Sequence, residues 1–341
     1  MTRPCVAIIP GDPAGIGPEL IAKLLHDEGV QEAADITLVG DSHLWQRGAQ
    51  QAELALKLNT IAEGEIGCHA GVTHLEMDTI DPEDVKIAEV TTEGGATSLR
   101  CLDKALDLAQ AGVVDGILFA PFNKASMTSA GLNAEDEHVY MARYLGFEGH
   151  HSEINVLDEL MTTRVTSHIG IRDVADNISE ERIIKAIRLA YDTLRRAGNM
   201  RPSIAVAGLN PHAGDNGKFG REEIDILEPA ISKAQENQIN VTGPWPPDTI
   251  FLKAKRGEVD AVVTMYHDQG QIAIKLLGFE RGVTVAGGLP IPVTTPAHGT
   301  AFDIAGTNSA SLGATRQAFN LLVRMAAAHR ANRTSNQHPN K

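Results

Sequence analysis

The sequence has few cysteines, a shortage of basic residues and no long apolar segment. Only three of its 341 residues are cysteines, and these share no short motif. A disulfide framework is therefore not expected, and a reducing, cytoplasmic setting is the simplest account. Lys and Arg number 30 against 44 Asp and Glu, which gives a formal net charge of −14. A nucleic-acid partner is not expected, because a broad nucleic-acid surface needs a basic face.

The sequence also lacks signals for membrane insertion and for export. No apolar run reaches the roughly 18 residues of a membrane helix, and the N-terminal residues lack a basic stretch followed by an apolar core. A hydrophobic content of 43% and a charged content of 22% are typical of an ordinary globular protein. At 341 residues the chain is long enough for two domains or one large α/β unit.

Short apolar, β-branched runs alternate with amphipathic segments along most of the chain. Residues 6–9 and 116–120 are typical of buried strands, and residues 180–197 are typical of a long helix. The alternation predicts an α/β fold with a largely parallel sheet. No linker rich in Pro, Gly and Ser marks a domain boundary, so the chain is expected to pass between two lobes more than once. Residues 289–296 contain three prolines and are predicted as an extended crossover rather than a central strand, since each proline lacks a ladder N–H.

Three histidines, His168, His212 and His267, each come directly after a predicted strand. Ligands of open α/β sheets bind beyond the carboxyl ends of the strands, so these imidazoles predict a metal site across a sheet edge. The alternative is that they are surface or core residues among the 13 histidines of the chain. The spacing does not decide, because no two form a short ligand pair. Gly270, in the polar stretch Tyr266–Gly270, is expected to let the backbone turn.

The first predicted strand runs into Pro10–Glu19, a loop rich in Gly and Pro. Its spacing is not the G-x-G-x-x-G of a dinucleotide fingerprint, and no Gly-Lys-Ser/Thr follows. The residues alone therefore indicate a loop near a ligand and nothing more specific. Lys124, at the end of the strand 116–120, is a candidate anion contact, with an exposed surface lysine as the alternative.

A series of longer motifs covers nearly the whole chain in a fixed order. They are Pro10–Glu19, Leu209–Gly214, Gly220–Asp225, Gly243–Thr249, Tyr266–Gly270, Lys275–Phe279, Gly287–Pro290 and His298–Ala301. With these motifs the chain resembles the 4-hydroxythreonine-4-phosphate dehydrogenase family of vitamin B6 synthesis. The resemblance implies an α/β fold of the isocitrate and isopropylmalate dehydrogenase type, with two α/β/α lobes and an active-site cleft between them. It also implies NAD, one divalent metal ion and a homodimer with active sites at the subunit interface.

On this resemblance we expect a first lobe of residues 1–125 with 300–330. The second lobe, residues 126–299, would carry most metal ligands and the dimer interface. The polar residues 331–341 are expected to form a frayed tail.

The resemblance assigns roles to individual residues. His168, His212 and His267 would bind the metal, contributed from both subunits; imidazole suits Zn²⁺, with Co²⁺, Ni²⁺, Mn²⁺ or Mg²⁺ left open. Lys275, Asp248 and Asp268 are the catalytic candidates, among which the acid/base is not decided. Either aspartate could instead orient a metal-bound histidine. The residues expected to bind NAD are Gly11, Asp12, Asn210 and Gly214.

The substrate residues depart from the family pattern. His138 and Lys275 match substrate-contacting positions. The family, however, has Thr at Val139, Asn at Thr284 and Arg at Val293, and losing the Arg removes a bidentate anion clamp. The expected substrate is therefore a non-phosphorylated cis-dihydrodiol carboxylate of the terephthalate type, oxidised at a secondary alcohol with loss of CO₂.

Other readings remain open on the sequence alone. Within the family, the chain would be a 4-hydroxythreonine-4-phosphate dehydrogenase of pyridoxal phosphate synthesis or a 4-phospho-threonate dehydrogenase. A metal-dependent hydrolase would turn over its substrate without NAD. A metabolite-binding regulator would not turn over any substrate.

Overall fold

The computed structural model describes residues 3–62 and 67–337. Its contacts divide the chain into a first unit, Met1–Glu148 with Leu289–Lys341, and a second unit, Gly149–Gly288. Each unit is an α/β structure, which confirms the predicted fold class. The lobes predicted from the sequence have their boundaries near residues 125 and 300, and the roles given to those lobes stay predictions.

The first unit contains a sheet whose neighbouring strands are all parallel. Its strands are β1 (Cys5–Ile9), β2 (Asp35–Val39), β3 (Thr60–Ile61), β4 (Val72–Leu75), β5 (Gly116–Phe119) and β12 (Val293–Pro296). Their spatial order is β3-β4-β2-β1-β5-β12. Its helices are α1 (Gly17–Leu25), α2 (Glu28–Ala33), α3 (Ser42–Gln51), α4 (Thr92–Gln110), α5 (Lys124–Ser129), α6 (Glu137–Tyr144) and α11 (Gly313–Gln337).

The second unit contains a mixed sheet in the order β11-β6-β7-β10-β8-β9. Its strands are β6 (Ser152–Leu157), β7 (Leu160–Arg164), β8 (Ile204–Ala207), β9 (Val241–Trp245), β10 (Ala261–Thr264) and β11 (Val283–Gly287). Its helices are α7 (Glu180–Arg196), α8 (Glu228–Glu236), α9 (Ile250–Lys255) and α10 (His267–Gly278). β6 pairs antiparallel with β11 and β7, whereas β7, β10, β8 and β9 are parallel.

Local sequence explains why these elements form where they do. β1 is apolar and buried at every position, as expected for a parallel strand covered on both faces. The side chain of Thr91 accepts from the Gly94 N–H at 3.0 Å and caps α4. Ser179 caps α7, whose first turn carries two acidic residues and whose last turn carries two basic residues. The two caps satisfy N–H groups at the helix starts. The acidic and basic residues of α7 match the dipole of that helix.

Two local expectations differ from the structure. The segment predicted as an extended crossover forms a strand at Val293–Pro296, so the prediction was wrong there. Two of its prolines precede β12 and the third is its last residue, so none removes an N–H from the middle of the strand. The predicted frayed tail is helical as far as Gln337, and residues 338–341 lie outside the described residues. Among the described residues, no helix is long and apolar enough to cross a membrane.

Candidate active site

The three histidines chosen from the sequence follow three adjacent parallel strands of the second unit. β10 lies between β7 and β8, so His267 follows the central strand and His168 and His212 follow its two neighbours. The rings of His168 and His267 are 5.8 Å apart between centroids. Beyond the strands, Thr166 donates to the Met265 carbonyl through its N–H at 3.1 Å and through Oγ1 at 2.7 Å. These bonds hold the loops of His168 and His267 side by side.

Within the described residues, His168 and His267 lie close together and no third ligand is grouped with them. In the described parts of the chain, no three His, Cys, Asp or Glu side chains are close enough together to hold a metal ion. The structure therefore brings His168 and His267 together but not His212. A metal bound by all three stays a prediction.

His267 is the first residue of α10, and its ring is held by the next side chain. Nδ1 of His267 lies 2.6 Å from Oδ1 of Asp268. A carboxylate on one ring nitrogen sets the tautomer and leaves the other nitrogen, Nε2, for a metal. The contact supports the orienting role for Asp268 that the sequence left as an alternative to acid/base catalysis.

His212 begins a left-handed turn of six residues. The φ angles are +56° at His212, +53° at Ala213, +80° at Gly214, +44° at Asp215, +56° at Asn216 and +87° at Gly217. Backbone hydrogen bonds of 3.0–3.4 Å between residues three apart run through this segment. Four of the six are not glycine, and left-handed helical backbone costs about 1–2 kcal/mol for each such residue. Other contacts must offset this strain, which is often found at functional sites.

Gln269 joins the ends of two of the three strands and was missed by the sequence analysis. Its Oε1 accepts from the Met265 N–H at 2.7 Å, and its Nε2 donates to the Gly208 carbonyl at 2.9 Å. Met265 directly follows β10 and Gly208 directly follows β8. The expected turn at Gly270 was wrong, because Gly270 lies inside α10 and packs against Thr264 of β10. The helix can lie close to the strand because this residue has no side chain.

Arg164, the last residue of β7, is a second residue that the sequence analysis missed. It is buried, and its Nη2 lies 2.7 Å from Oε2 of Glu153 on β6. Its Nε donates to Oγ of Ser167 at 3.0 Å. The ion pair fixes Arg164, and the bond from its Nε holds Ser167, the residue immediately before His168. A charged residue at the end of an otherwise uncharged strand was the available signal for it.

The other predicted residues of the second unit lie on three different elements. Lys275 is exposed on α10, eight positions after His267, and Asp248 is exposed in the turn before α9. Thr284 is half-buried in β11, opposite Asn155 of β6. Their catalytic and substrate-binding roles stay predictions.

In the first unit, Gly11 and Asp12 form a tightly packed loop at the end of β1. Gly11 has φ +71°, and a Cβ there would lie 2.4 Å from the Ala120 carbonyl oxygen. The Asp12 N–H donates to the Pro121 carbonyl at 3.0 Å, and Oδ1 accepts from the Ala14 N–H at 2.8 Å. Burial raises the pKa of the Asp12 carboxyl. Asn210 and Gly214, the other predicted NAD residues, belong to the left-handed turn region of the second unit, and NAD binding by these four stays a prediction.

The remaining substrate candidates of the first unit range from fully buried to exposed. His138 is 4% exposed on α6, and Val139 beside it is half-buried. Val293 is 0% exposed in β12, where it pairs with Ile117 of β5. Lys124 is exposed at the start of α5. The apolar character of Val293 is therefore explained by packing in the core.

Comparison with known proteins identifies the family. A family model described as pyridoxal phosphate biosynthetic protein PdxA matches residues 32–322. The chain belongs to the PdxA family. A relative from Pseudomonas aeruginosa, provisionally named 4-hydroxythreonine-4-phosphate dehydrogenase 2, is 52% identical over 327 residues, covering 94% of this chain and 97% of the relative. D-threonate 4-phosphate dehydrogenase of Salmonella typhimurium is 38% identical over 331 residues, covering 96% and 100%.

Two solved structures of dehydrogenases are also similar to the chain. The 4-hydroxythreonine-4-phosphate dehydrogenase of Klebsiella pneumoniae has a TM-score of 0.83 and 36% identity, covering 95% of this chain and 98% of that one. The terephthalate 1,2-cis-dihydrodiol dehydrogenase of Burkholderia xenovorans has a TM-score of 0.68 and 28% identity, covering 95% and 98%. These relatives are dehydrogenases by name, and this PdxA-family chain is an oxidoreductase that acts on a CH–OH group.

Proposed function

We propose that this PdxA-family chain is an NAD-dependent and divalent-metal-dependent dehydrogenase for a phosphorylated four-carbon hydroxy acid. The substrate class comprises D-threonate 4-phosphate and 4-hydroxythreonine 4-phosphate, oxidised at a secondary alcohol next to the carboxylate-bearing carbon. The observation that carries the proposal is the 38% identity to D-threonate 4-phosphate dehydrogenase over that protein's whole length. Identity to the dihydrodiol dehydrogenase is 28%.

The burial of Val293 weakens the earlier preference for a cis-dihydrodiol. That preference rested on the loss of the family's Thr, Asn and Arg at Val139, Thr284 and Val293. Since Val293 is 0% exposed, its side chain does not line a ligand surface, and packing in the core explains it without a dihydrodiol substrate. The phosphate would then be bound by other groups, and the exposed Lys124 is a candidate.

His168, His212 and His267 are the proposed metal ligands, and their neutral imidazoles suit a borderline divalent ion. When bound, such an ion supplies Lewis acidity that lowers the pKa of a substrate hydroxyl. Asp268 orients His267 through the contact to Nδ1. Lys275 and Asp248 are the proposed acid/base groups, because both can exchange protons and both are exposed, hence accessible to a substrate.

We propose that a second copy of the chain completes the site. Within the described residues one chain brings no three ligands together. Large apolar side chains are exposed beside the proposed ligands, which is typical of an interaction surface. They are Ile169 at 42%, Ile171 at 72%, Phe219 at 45%, Ile272 at 59% and Leu276 at 83%.

The test of the substrate is a comparison of kcat/KM for D-threonate 4-phosphate, 4-hydroxythreonine 4-phosphate and terephthalate cis-dihydrodiol, followed as NADH formation. We expect a phosphorylated substrate to be preferred. A preference for the dihydrodiol would contradict the substrate class. Turnover without any NADH would instead favour a hydrolase, and absence of turnover with every substrate and metal would favour a binding protein.

Complementation tests the shared site. His212→Ala and His267→Ala variants, each inactive alone, are unfolded together and refolded to allow mixed dimers. If the two ligands at one site come from different chains, one site in each mixed dimer retains both and activity returns. Activity in a demonstrated monomer would contradict the proposal.

A further inference from the structure

Glu223 is a buried carboxylate that lies against the left-handed turn of His212. It is 1% exposed and stands at the start of the helical segment Glu223–Leu227, which leads into α8. Its Oε1 accepts from the Asn210 N–H at 2.7 Å, and its Oε2 accepts from Asn210 Nδ2 at 2.9 Å. Both bonds hold Asn210, which lies two residues before His212, the first residue of the turn. The strained segment is therefore anchored at its start by one side chain.

The glycines of this region leave space for that carboxylate. A Cβ on Gly208 would lie 3.1 Å from Oε1 of Glu223, and a Cβ on Gly214 would lie 2.7 Å from Oε2. The first residue follows β8 and the second is in the left-handed turn. The backbone thus closes around Glu223 at two separate positions, which an ordinary surface glutamate does not require.

We propose that Glu223 is a positioning residue that holds the His212 turn in the conformation needed for metal binding. The inference rests on the proposed function, because His212 is a proposed ligand. The anchored Asn210 is two residues from His212, so a change in the anchor changes where the imidazole is presented. Glu223 itself does not need to touch metal or substrate.

The alternative is that Glu223 only stabilises the fold. A purely stabilising residue would alter the unfolding temperature and leave the metal affinity of the folded protein unchanged. A positioning residue alters the metal affinity at temperatures where every variant is folded. The two roles are therefore separated by a binding measurement made well below the unfolding transition.

Glu223→Gln is the informative substitution because it keeps the shape of the side chain. The oxygen of the new amide can accept from the backbone N–H of Asn210. The NH₂ group of the new amide then faces the side-chain NH₂ of Asn210, and two donors cannot bond to each other. Rotating the Asn210 amide would place its oxygen against Glu222, whose Oε2 now accepts from Nδ2 at 2.7 Å. No orientation of the two amide groups therefore preserves the hydrogen bonds of the side chains at positions 210, 222 and 223 together. Glu228→Gln, an exposed glutamate on α8, is the matched control.

The experiment is a titration of the metal-free full-length protein with Co²⁺, followed by its d–d absorption. Loss of an outer residue that orients a ligand typically weakens metal binding by about 10–100-fold, and we expect this for Glu223→Gln together with an altered spectrum. Glu228→Gln should match the wild type. If Glu223→Gln does not fold, Asn210→Ala, which keeps the backbone bond to Glu223, should show a smaller weakening.

His212→Ala separates the two proposals. If it leaves Co²⁺ binding unchanged, the proposed metal site is wrong. If it weakens binding while Glu223→Gln, or Asn210→Ala in its place, binds Co²⁺ as the wild type does, the metal site stands and the positioning role is wrong.

Discussion

Replacing Gln269 with Ala should loosen the sheet edge that carries the proposed metal ligands. The side chain bridges the Met265 N–H and the Gly208 carbonyl, and both of those residues are buried. Two hydrogen bonds contribute about 1 kcal/mol each, and a buried group left unpaired costs about 1–3 kcal/mol. We therefore expect the free energy of unfolding to fall by about 2–4 kcal/mol.

The assay for Gln269→Ala is denaturant unfolding, combined with Co²⁺ titration under native conditions. Gln271→Ala, on the same helix, is the control. Because Gln269 joins the strands that lead to His267 and His212, the Co²⁺ affinity should fall as well as the stability. If Gln269→Ala and Gln271→Ala behave alike in both measurements, the bridge has no energetic role and the reasoning is refuted.

Three further predictions concern the first unit. Val293→Arg places a charge at a 0% exposed position and should destabilise the protein by several kcal/mol in denaturant unfolding; a stable variant with improved use of phosphorylated substrate would instead support a pocket role. Gly11→Ala should lower stability by about 1–3 kcal/mol, because of the positive φ and the contact with the Ala120 carbonyl, and an unchanged unfolding temperature would contradict the loop packing. Since burial raises the pKa of Asp12 in the folded state above the ordinary value of 3.8, its ionisation reduces stability progressively as pH rises above 3.8. Asp12→Asn should remove that part of the pH dependence, and an identical stability–pH profile would contradict it.

The positions of the three histidines could be predicted from the sequence, and the paths of their loops could not. An apolar run followed by His267 indicates a strand end, and parallel strands present their carboxyl ends at one edge. The left-handed turn at His212 contradicts local propensity, because Ala213, Asp215 and Asn216 have positive φ without being glycine. The bonds to Glu223 that accompany it come from a residue 13 positions after Asn210. Such a contact depends on how the chain folds back and not on any local pattern.

Val293 and β12 illustrate the limit on substrate prediction. A substitution pattern shows that a charged residue is missing but does not show where the replacement side chain lies. The prolines around 290–296 suggested a segment outside the sheet, whereas Val293 pairs beside β5 and is fully buried. The expectation of a dihydrodiol substrate depended on Val293 lining the substrate pocket. It lost its main support because Val293 is buried in β12.

Metal-dependent dehydrogenase activity can be tested by reduction of NAD⁺ with D-threonate 4-phosphate, measured before and after removal of metal. We expect NADH formation by the protein loaded with Co²⁺ or Zn²⁺, its loss on chelation and its return when metal is added back. His267→Ala should form no NADH at any metal concentration. NADH formation that survives chelation, or that persists in His267→Ala, would contradict the proposed metal-dependent dehydrogenase.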